Sequence, residues 1–262
     1  MSVRLEIFTL VLDGMPWIRH HLPVFNRLSC DWRWTICHGV AANVKDTKWI
    51  QSQDPRLSND GTTEYLAEIA KQHPRVRVME RTIWNGKTEM CNATMAGARA
   101  PCIVLQVDAD ELWAADQIES MLSMFVAMRQ VDKMQFWCRY FLGPNIIIGP
   151  RDGKSYGCRQ TEWLRAWYMS RPDQYFVTHE PPVFSGCPGK TLSRDETLAY
   201  GIQFDHFAYA TRAQVAYKER VYGYPGAVDG WDALQRNTSW PVKLKNFLPW
   251  VDEQSTADLF VR

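Results

Sequence analysis

The feature that most constrains this chain is the alternation, through its first half, of short apolar runs rich in β-branched and aromatic residues with stretches of helical spacing. Leu5 to Leu12 reads as a buried strand stopped by the turn signal Asp13-Gly14. Pro16 to Leu28 has helical spacing, Trp32 to Val40 is a second strand, and the polar segment 41–59 is a loop excursion. After Asn59-Asp60-Gly61, Thr62-Thr63 caps a helix carried by Leu66, Ile69 and Ala70, and His73-Pro74 ends it before a strand from Arg75 to Met79. Gly86-Lys87 opens a helix reaching Ala98, and Cys102 to Val107 is a continuous apolar run that breaks into charge at Asp108. Repetition of this kind predicts an α/β fold, a single Rossmann-like domain with a mostly parallel central sheet flanked by helices.

The second half is less regular. A helix is expected from Ala114 to Arg129 and a strand from Lys133 to Phe141, after which periodicity is lost up to Gly201, apart from a strand-like Tyr200 to Phe204. Thr211 to Tyr222 regains a helical pattern. The expected division is therefore one domain over 1–210, with a C-terminal helical or lid extension over 211–262 packed on it.

Composition removes several function classes. Hydrophobic residues make up 46% and charged residues 23% of 262, as in a globular enzyme rather than a disordered chain. A net charge of +1 provides no global field for a polyanion. Arg139, Arg151, Lys154, Arg159, Arg165 and Arg171 are the motive for a nucleic-acid acceptor, and they are scattered. The seven Cys show no C-x-x-C pair and read as reduced, mostly buried thiols. The apolar run at the N-terminus is too short for a signal peptide and no stretch has membrane-spanning length, so a cytoplasmic location is expected.

In open α/β sheets the ligand crevice lies beyond the carboxyl ends of the strands, where Asp13, Asp60 and Asp108 fall. Asp108-Ala109-Asp110-Glu111 follows a buried strand, and residues two apart in extended chain face the same way, so Asp108 and Asp110 are placed to share one ligand. Hard oxygen donors suit Mn²⁺ or Mg²⁺. A chain of this Asp content shows about one Asp-x-Asp by chance, and an isolated one is commonly a solvated turn. Its place at a strand end is what gives this one value.

The run Asn59-Asp60-Gly61-Thr62-Thr63, then Gly86-Lys87 with Asn92, then Val104-Leu105-Gln106-Val107-Asp108-Ala109-Asp110-Glu111, resembles the N-terminal half of family-2-like glycosyltransferases of GT-A type. Arg165-Ala166-Trp167-Tyr168, His179-Glu180 and His206-Phe207-Ala208-Tyr209 with Lys218 are similar to the subgroup of lipopolysaccharide-core and peptide-modifying sugar transferases. The likeness spans roughly residues 5–222, interrupted by 41–58 and by 142–160, which matches nothing in the pattern. It implies that Leu12, Asp13 and Asp60 hold the donor nucleoside, that Lys87 lies by its diphosphate, and that Asp108 and Asp110 carry the metal. It also implies a late His, here His206, completing the metal site, although a core His bonded to a carbonyl has the same sequence appearance.

Inverting transfer needs a carboxylate within reach of the acceptor hydroxyl, and Glu180 is the best candidate, with Glu111 and Glu162 as rivals. His179-Glu180-Pro181-Pro182 reads equally as a plain turn before a proline-stiffened loop. Arg165 joins Lys87 as a candidate partner of donor phosphates. Tyr209, Tyr217, Tyr222, Tyr224 and Trp231 would border an acceptor groove or simply pack. The expected function is metal-dependent transfer of a sugar from a UDP-, GDP- or dTDP-linked donor to a glycan or other hydroxyl compound. A sugar nucleotidyltransferase and a non-catalytic carbohydrate-binding module are the alternatives, and the former lacks its usual Gly-rich N-terminal loop here.

Overall fold

The computed structural model describes residues 4–42, 53–148, 164–251 and 253–261. In chain order the first half comprises β1 (Arg4–Val11), α1 (His21–Phe25), β2 (Asp31–Ala41), α2 (Thr62–Gln72), β3 (Val76–Trp84), α3 (Lys87–Met95), β4 (Cys102–Gln106), β5 (Glu111–Leu112) and α4 (Ala115–Ala127). There follow β6 (Val131–Gln135), β7 (Trp137–Tyr140), β8 (Ile146–Ile148), β9 (Leu164–Met169), β10 (Phe176–His179), β11 (Pro182–Phe184), β12 (Lys190–Leu192) and α5 (Arg194–Ala199). The chain closes with β13 (Gln203–His206), α6 (Arg212–Tyr222), α7 (Ala227–Gln235), β14 (Val242–Lys243) and β15 (Thr256–Leu259).

Seven strands form the central sheet in the order β12-β6-β9-β4-β1-β2-β3. β1 runs parallel to β2 and β4, β2 to β3, and β12 to β6, while β9 is antiparallel to both its neighbours. The sheet is thus mostly parallel, as expected. Because side chains alternate across a strand, Leu5 and Ile7 of β1 join Ile103 and Leu105 of β4 in a core beneath α1, α2 and α4. On the opposite face Phe8 joins Cys102 and Val104 beneath α3 and the β10–β11 hairpin. Each such Leu, Ile or Phe, shielded on both sides of the sheet, contributes about 1.5–3 kcal/mol.

The structure departs from the sequence expectation where one run serves two sheets. The strand expected over Lys133 to Phe141 is divided at Phe136: β6 stays in the central sheet, and β7 pairs with β13 in a small sheet of order β5-β13-β7. Phe136 is fully buried at this corner, edge-on to Trp113 with ring centroids 5.0 Å apart. β3 runs on past Met79 to Trp84, because an edge strand can carry the exposed Glu80-Arg81-Thr82 while its backbone pairs with β2. The helix expected from Pro16 is a short 3-10 turn over Trp17–His20 followed by α1. The region where periodicity fails holds β8 to β12, of which all but β9 have only three or four residues.

The C-terminal segment is knitted to the body. β15 pairs with β8, and Trp231 of α7 donates from Nε1 to the carbonyls of Leu142 at 2.6 Å and Tyr209 at 2.7 Å. Among the described residues no helix is long and apolar enough to cross a membrane. The six described cysteines are free thiols, five of them buried; Cys158 lies outside the described residues.

A bulge in β2 at His38–Val40 places Gly39 at φ +129°, where an added Cβ would lie 1.8 Å from the Arg81 carbonyl oxygen. Gly39→Ala is expected to cost about 2–4 kcal/mol, combining backbone strain with overpacking. Urea unfolding of the variant against wild type checks this.

Candidate active site

The carboxyl ends of β1 and β4 open into a cavity of about 930 Å³. Leu12, Asp13, Asp60, Lys87, Asp108, Asp110, Arg165, Glu180 and His206, far apart in sequence, all line it. Its remaining wall is α6, which contributes Gln214, Tyr217, Lys218 and Tyr222. β1 is flanked by β2 on one side and β4 on the other, so the cavity lies where the direction of strand addition reverses, as the geometry of open parallel sheets requires.

The carboxylate turn is held from below. Glu111 is fully buried and does not line the cavity; Arg165 of β9 donates to its Oε1 from Nη2 at 2.7 Å and from Nε at 2.9 Å. The structure therefore places this expected base candidate out of reach of a substrate hydroxyl. Burial pushes the Glu111 carboxyl up, and Arg165 opposes that shift. Nη2 of Arg165 also donates to Asp108 at 3.1 Å, so this guanidinium, expected to meet donor phosphates, is committed to the turn itself. Burial would raise the Asp108 carboxyl, but Arg165 and a hydrogen bond from Gln106 hold it below its ordinary range.

β13 brings the late histidine to the same turn. His206 lies in register with Glu111 across the β13–β5 pair, and Phe207 N–H donates to the Asp110 carbonyl at 2.8 Å. His206 Nε2 thereby stands 3.5 Å from Asp110 Oδ1. Despite burial, the proximity of His206 keeps the Asp110 carboxyl well below the usual range. Among the described residues no group of three or more His, Cys, Asp or Glu side chains is placed to hold a metal ion by itself. Asp110 and His206, side by side and facing a cavity large enough for phosphate oxygens, are the donor pair that would fit an open Mn²⁺ or Mg²⁺ site completed by substrate and water. Such ions commonly take one or two carboxylates and leave the rest to water and substrate.

On the β1 side, Asp13 adopts φ +53°, unusual for a residue with a Cβ. The conformation is secured on all sides. Its N–H donates to Ser58 Oγ at 2.8 Å, its carboxylate accepts from Arg56 Nη1 at 3.0 Å, and the neighbouring Gly14 N–H donates to Thr62 Oγ1 at 2.9 Å. Ser58 Oγ is in turn 2.9 Å from Nε2 of the fully buried His38, whose Nδ1 faces Glu80 at 3.1 Å. Asp60 accepts from the N–H groups of Met15 at 2.9 Å and Thr62 at 3.1 Å, tying the start of α2 to the β1 turn.

Lys87 opens α3 and forms an ion pair with Glu180 inside the cavity. Burial would raise the Glu180 carboxyl, but the neighbouring His179 ring and the charge of Lys87 bring it down to about 2. Glu162 lies outside the described residues.

Residues 57–199 match the family model described as Glycosyl transferase family 2. The chain belongs to that family. Comparison with curated proteins found no match. Among solved structures, the mannosyltransferase PcManGT from Pyrobaculum calidifontis, in complex with GDP-Man and Mn²⁺, superposes with a TM-score of 0.51 at 15% identity, over 95% of this chain and 68% of that one. TarS residues 1–349 from S. aureus in complex with UDP gives a TM-score of 0.45 at 11% identity, over 95% and 76%. The first likeness shows that this family 2 chain has the GT-A fold.

Several residues that shape the glycosyltransferase site carried little signal in the sequence. His38 is the one basic residue in the buried run Trp34–Val40 of β2, and that is the available clue. Ser58 and Arg56 have none, because the partner of both, Asp13, is more than 40 residues away. Of the basic residues that motivate a nucleic-acid acceptor, the three described ones are each paired with an acid. Arg139 pairs with Asp205, Arg165 with Glu111 and Arg171 with Asp173, while Arg151, Lys154 and Arg159 lie outside the described residues.

His21 supports the carboxylate turn. Its fully buried ring lies 5.8 Å from that of Trp34 and within hydrogen-bonding reach of the Asp108 and Ala109 backbone, and burial lowers its pKa from 6.5 to about 4. A group whose folded pKa is depressed contributes stability above its unfolded value that is lost as pH falls through the folded one. Stability is therefore expected to decline from about pH 6.5 toward pH 4. In urea midpoints measured across that range, His21→Phe, which keeps the ring contacts, should show a shallower decline than wild type.

Proposed function

We propose that this family 2 glycosyltransferase transfers a sugar from a UDP-, GDP- or dTDP-linked donor to a hydroxyl of a glycan or related compound, with inversion and with Mn²⁺ or Mg²⁺. The observation that supports the reading is the single cavity in which Lys87, Glu180 and the Asp110–His206 pair face one another at the carboxyl ends of β1 and β4. The mannosyltransferase of like fold was solved with GDP-Man and Mn²⁺, in keeping with this. The motifs around Arg165, His179-Glu180 and His206 favour an acceptor of the lipopolysaccharide-core or peptide-linked kind.

In this mechanism Leu12, Asp13 and Asp60 form the nucleoside end of the site, and Lys87 approaches the diphosphate. Asp110, His206 and Asp108 would hold the cation, which when bound neutralises charge on the leaving diphosphate. Glu180 accepts the proton of the acceptor hydroxyl as that oxygen bonds to the anomeric carbon. The bond from that carbon to the diphosphate oxygen breaks with the electron pair leaving on the nucleoside diphosphate. No covalent enzyme intermediate is needed, so positioning and electrostatics carry the rate. α6 walls the cavity with Tyr217 and Lys218, which supports reading the segment after 210 as lid material.

Calorimetric titration of UDP, GDP and dTDP with MnCl₂ should give heat with one of them, and EDTA or Asp110→Asn should abolish or sharply weaken it. Binding unchanged by EDTA and by the substitution would refute the metal assignment. Glu180→Gln should lower kcat by about 10²–10⁴-fold, the usual contribution of a general base. An activity loss under tenfold would place the base elsewhere.

A further inference from the structure

Five side chains follow one another in contact, all but the buried Gln106 lining the cavity: Asp108, Gln106, His179, Glu180 and Lys87. The Gln106 amide nitrogen donates to Asp108 Oδ1 at 2.9 Å and lies 3.2 Å from His179 Nε2. An amide nitrogen only donates, so His179 Nε2 accepts and the ring proton sits on Nδ1. That nitrogen is 3.5 Å from Glu180 Oε1, and the same oxygen takes the Lys87 ammonium. His179 is buried, whereas Lys87 and Glu180 keep about a quarter of their side-chain surface, on the cavity side (24% and 26%). Tyr222 and Tyr217 of α6, His179 and Asp108 also interact electrostatically with Lys87.

The two members of the pair have roles that conflict while they are paired. A base is effective when its proton affinity is near that of the medium, and Lys87 works against this by stabilising the Glu180 anion. A lysine ammonium is a mobile point charge on a flexible stem, so it can leave one anion for a stronger one in the same cavity. We propose that Lys87 and Glu180 form a latch that the donor opens: the diphosphate takes Lys87 from Glu180, so that filling the donor site and freeing the base are one event. The inference rests on the nucleotide-sugar reading and adds an order to it, donor before proton transfer.

While the pair is closed, His179 and Lys87 together bring the Glu180 carboxyl down to about 2, and the share that Lys87 contributes is withdrawn when the donor arrives. Linkage gives a consequence that a purely catalytic Glu180 would not share. If the diphosphate must break the pair, the carboxylate weakens donor binding, and removing it must strengthen that binding. The residue whose loss abolishes turnover should therefore, when lost, improve affinity for the product-like nucleotide.

The test is a binding cycle read by calorimetry with MnCl₂ and whichever of UDP, GDP or dTDP binds wild type. Glu180→Gln should lower Kd by about three- to tenfold, the scale of a partly buried ion pair. In a Lys87→Gln background the same substitution should tighten binding distinctly less, since direct repulsion between Glu180 and phosphate is then all that is relieved. Glu180→Ala carries the same expectation, and melting temperatures without nucleotide verify that each variant is folded. Unchanged or weaker binding in both Glu180 variants would overturn the latch, as would equal tightening in the two backgrounds. Either result would leave the nucleotide-sugar reading standing. Absence of binding by wild type to all three nucleotides would overturn both.

Discussion

The buried pair of Arg165 and Glu111 is the contact on which the site depends. Arg165 comes from β9, the strand that runs antiparallel to β4, and Glu111 from β5, just past the turn that β4 feeds. Their double hydrogen bond, from Nε and Nη2, joins the central sheet to the small sheet, and Nη2 donates to Asp108 as well. Two charges taken out of water gain little net stability from each other, but removing one partner strands the other at a cost of about 3–5 kcal/mol. The pair therefore acts less as a source of stability than as a constraint. It disfavours any arrangement in which β9, β5 and the Asp108 turn are not in register.

From that constraint the rest of the cavity follows by short steps. β13 pairs with β5, which sets His206 beside Glu111 and hence its ring near Asp110. His21, packed with Phe25 and Trp34, closes the turn from beneath and remains neutral because it is buried. On the far wall, Ser58 and Arg56 lock Asp13 in a conformation a free chain would avoid. Rigid support of this kind is what an electrostatic catalyst needs, since the polar groups must be in place before charge develops. The exposed edges of the cavity are built differently: Lys87, Glu180 and α6 present long or aromatic side chains that have room to rearrange.

Much of the first half was legible in the sequence because its signals are local. β1, β2, α2 and β4 each occupy an apolar run or a helical period bounded by turn residues, and the acids after β1 and β4 marked the strand ends. The expected donor and metal positions all face one cavity, because strands of a parallel sheet present their carboxyl ends on one side. For Glu111 the sequence shows a third acid beside Asp108 and Asp110 but not that its side chain turns inward to an arginine 54 residues away. Lys133 to Phe141 was read as one strand because hydrophobicity does not report which sheet a strand joins.

By itself the sequence determined the class of fold, the order of its early strands and helices, and the chemical types gathered at the sheet's edge. Those properties arise from periodicity and turn chemistry, which act over a few residues. The tertiary structure decided which carboxylate faces solvent and which is buried, which cation meets which anion, and that Lys87 and Glu180, 93 residues apart, are joined. Such choices rest on burial and charge proximity, and both exist only once distant segments have packed.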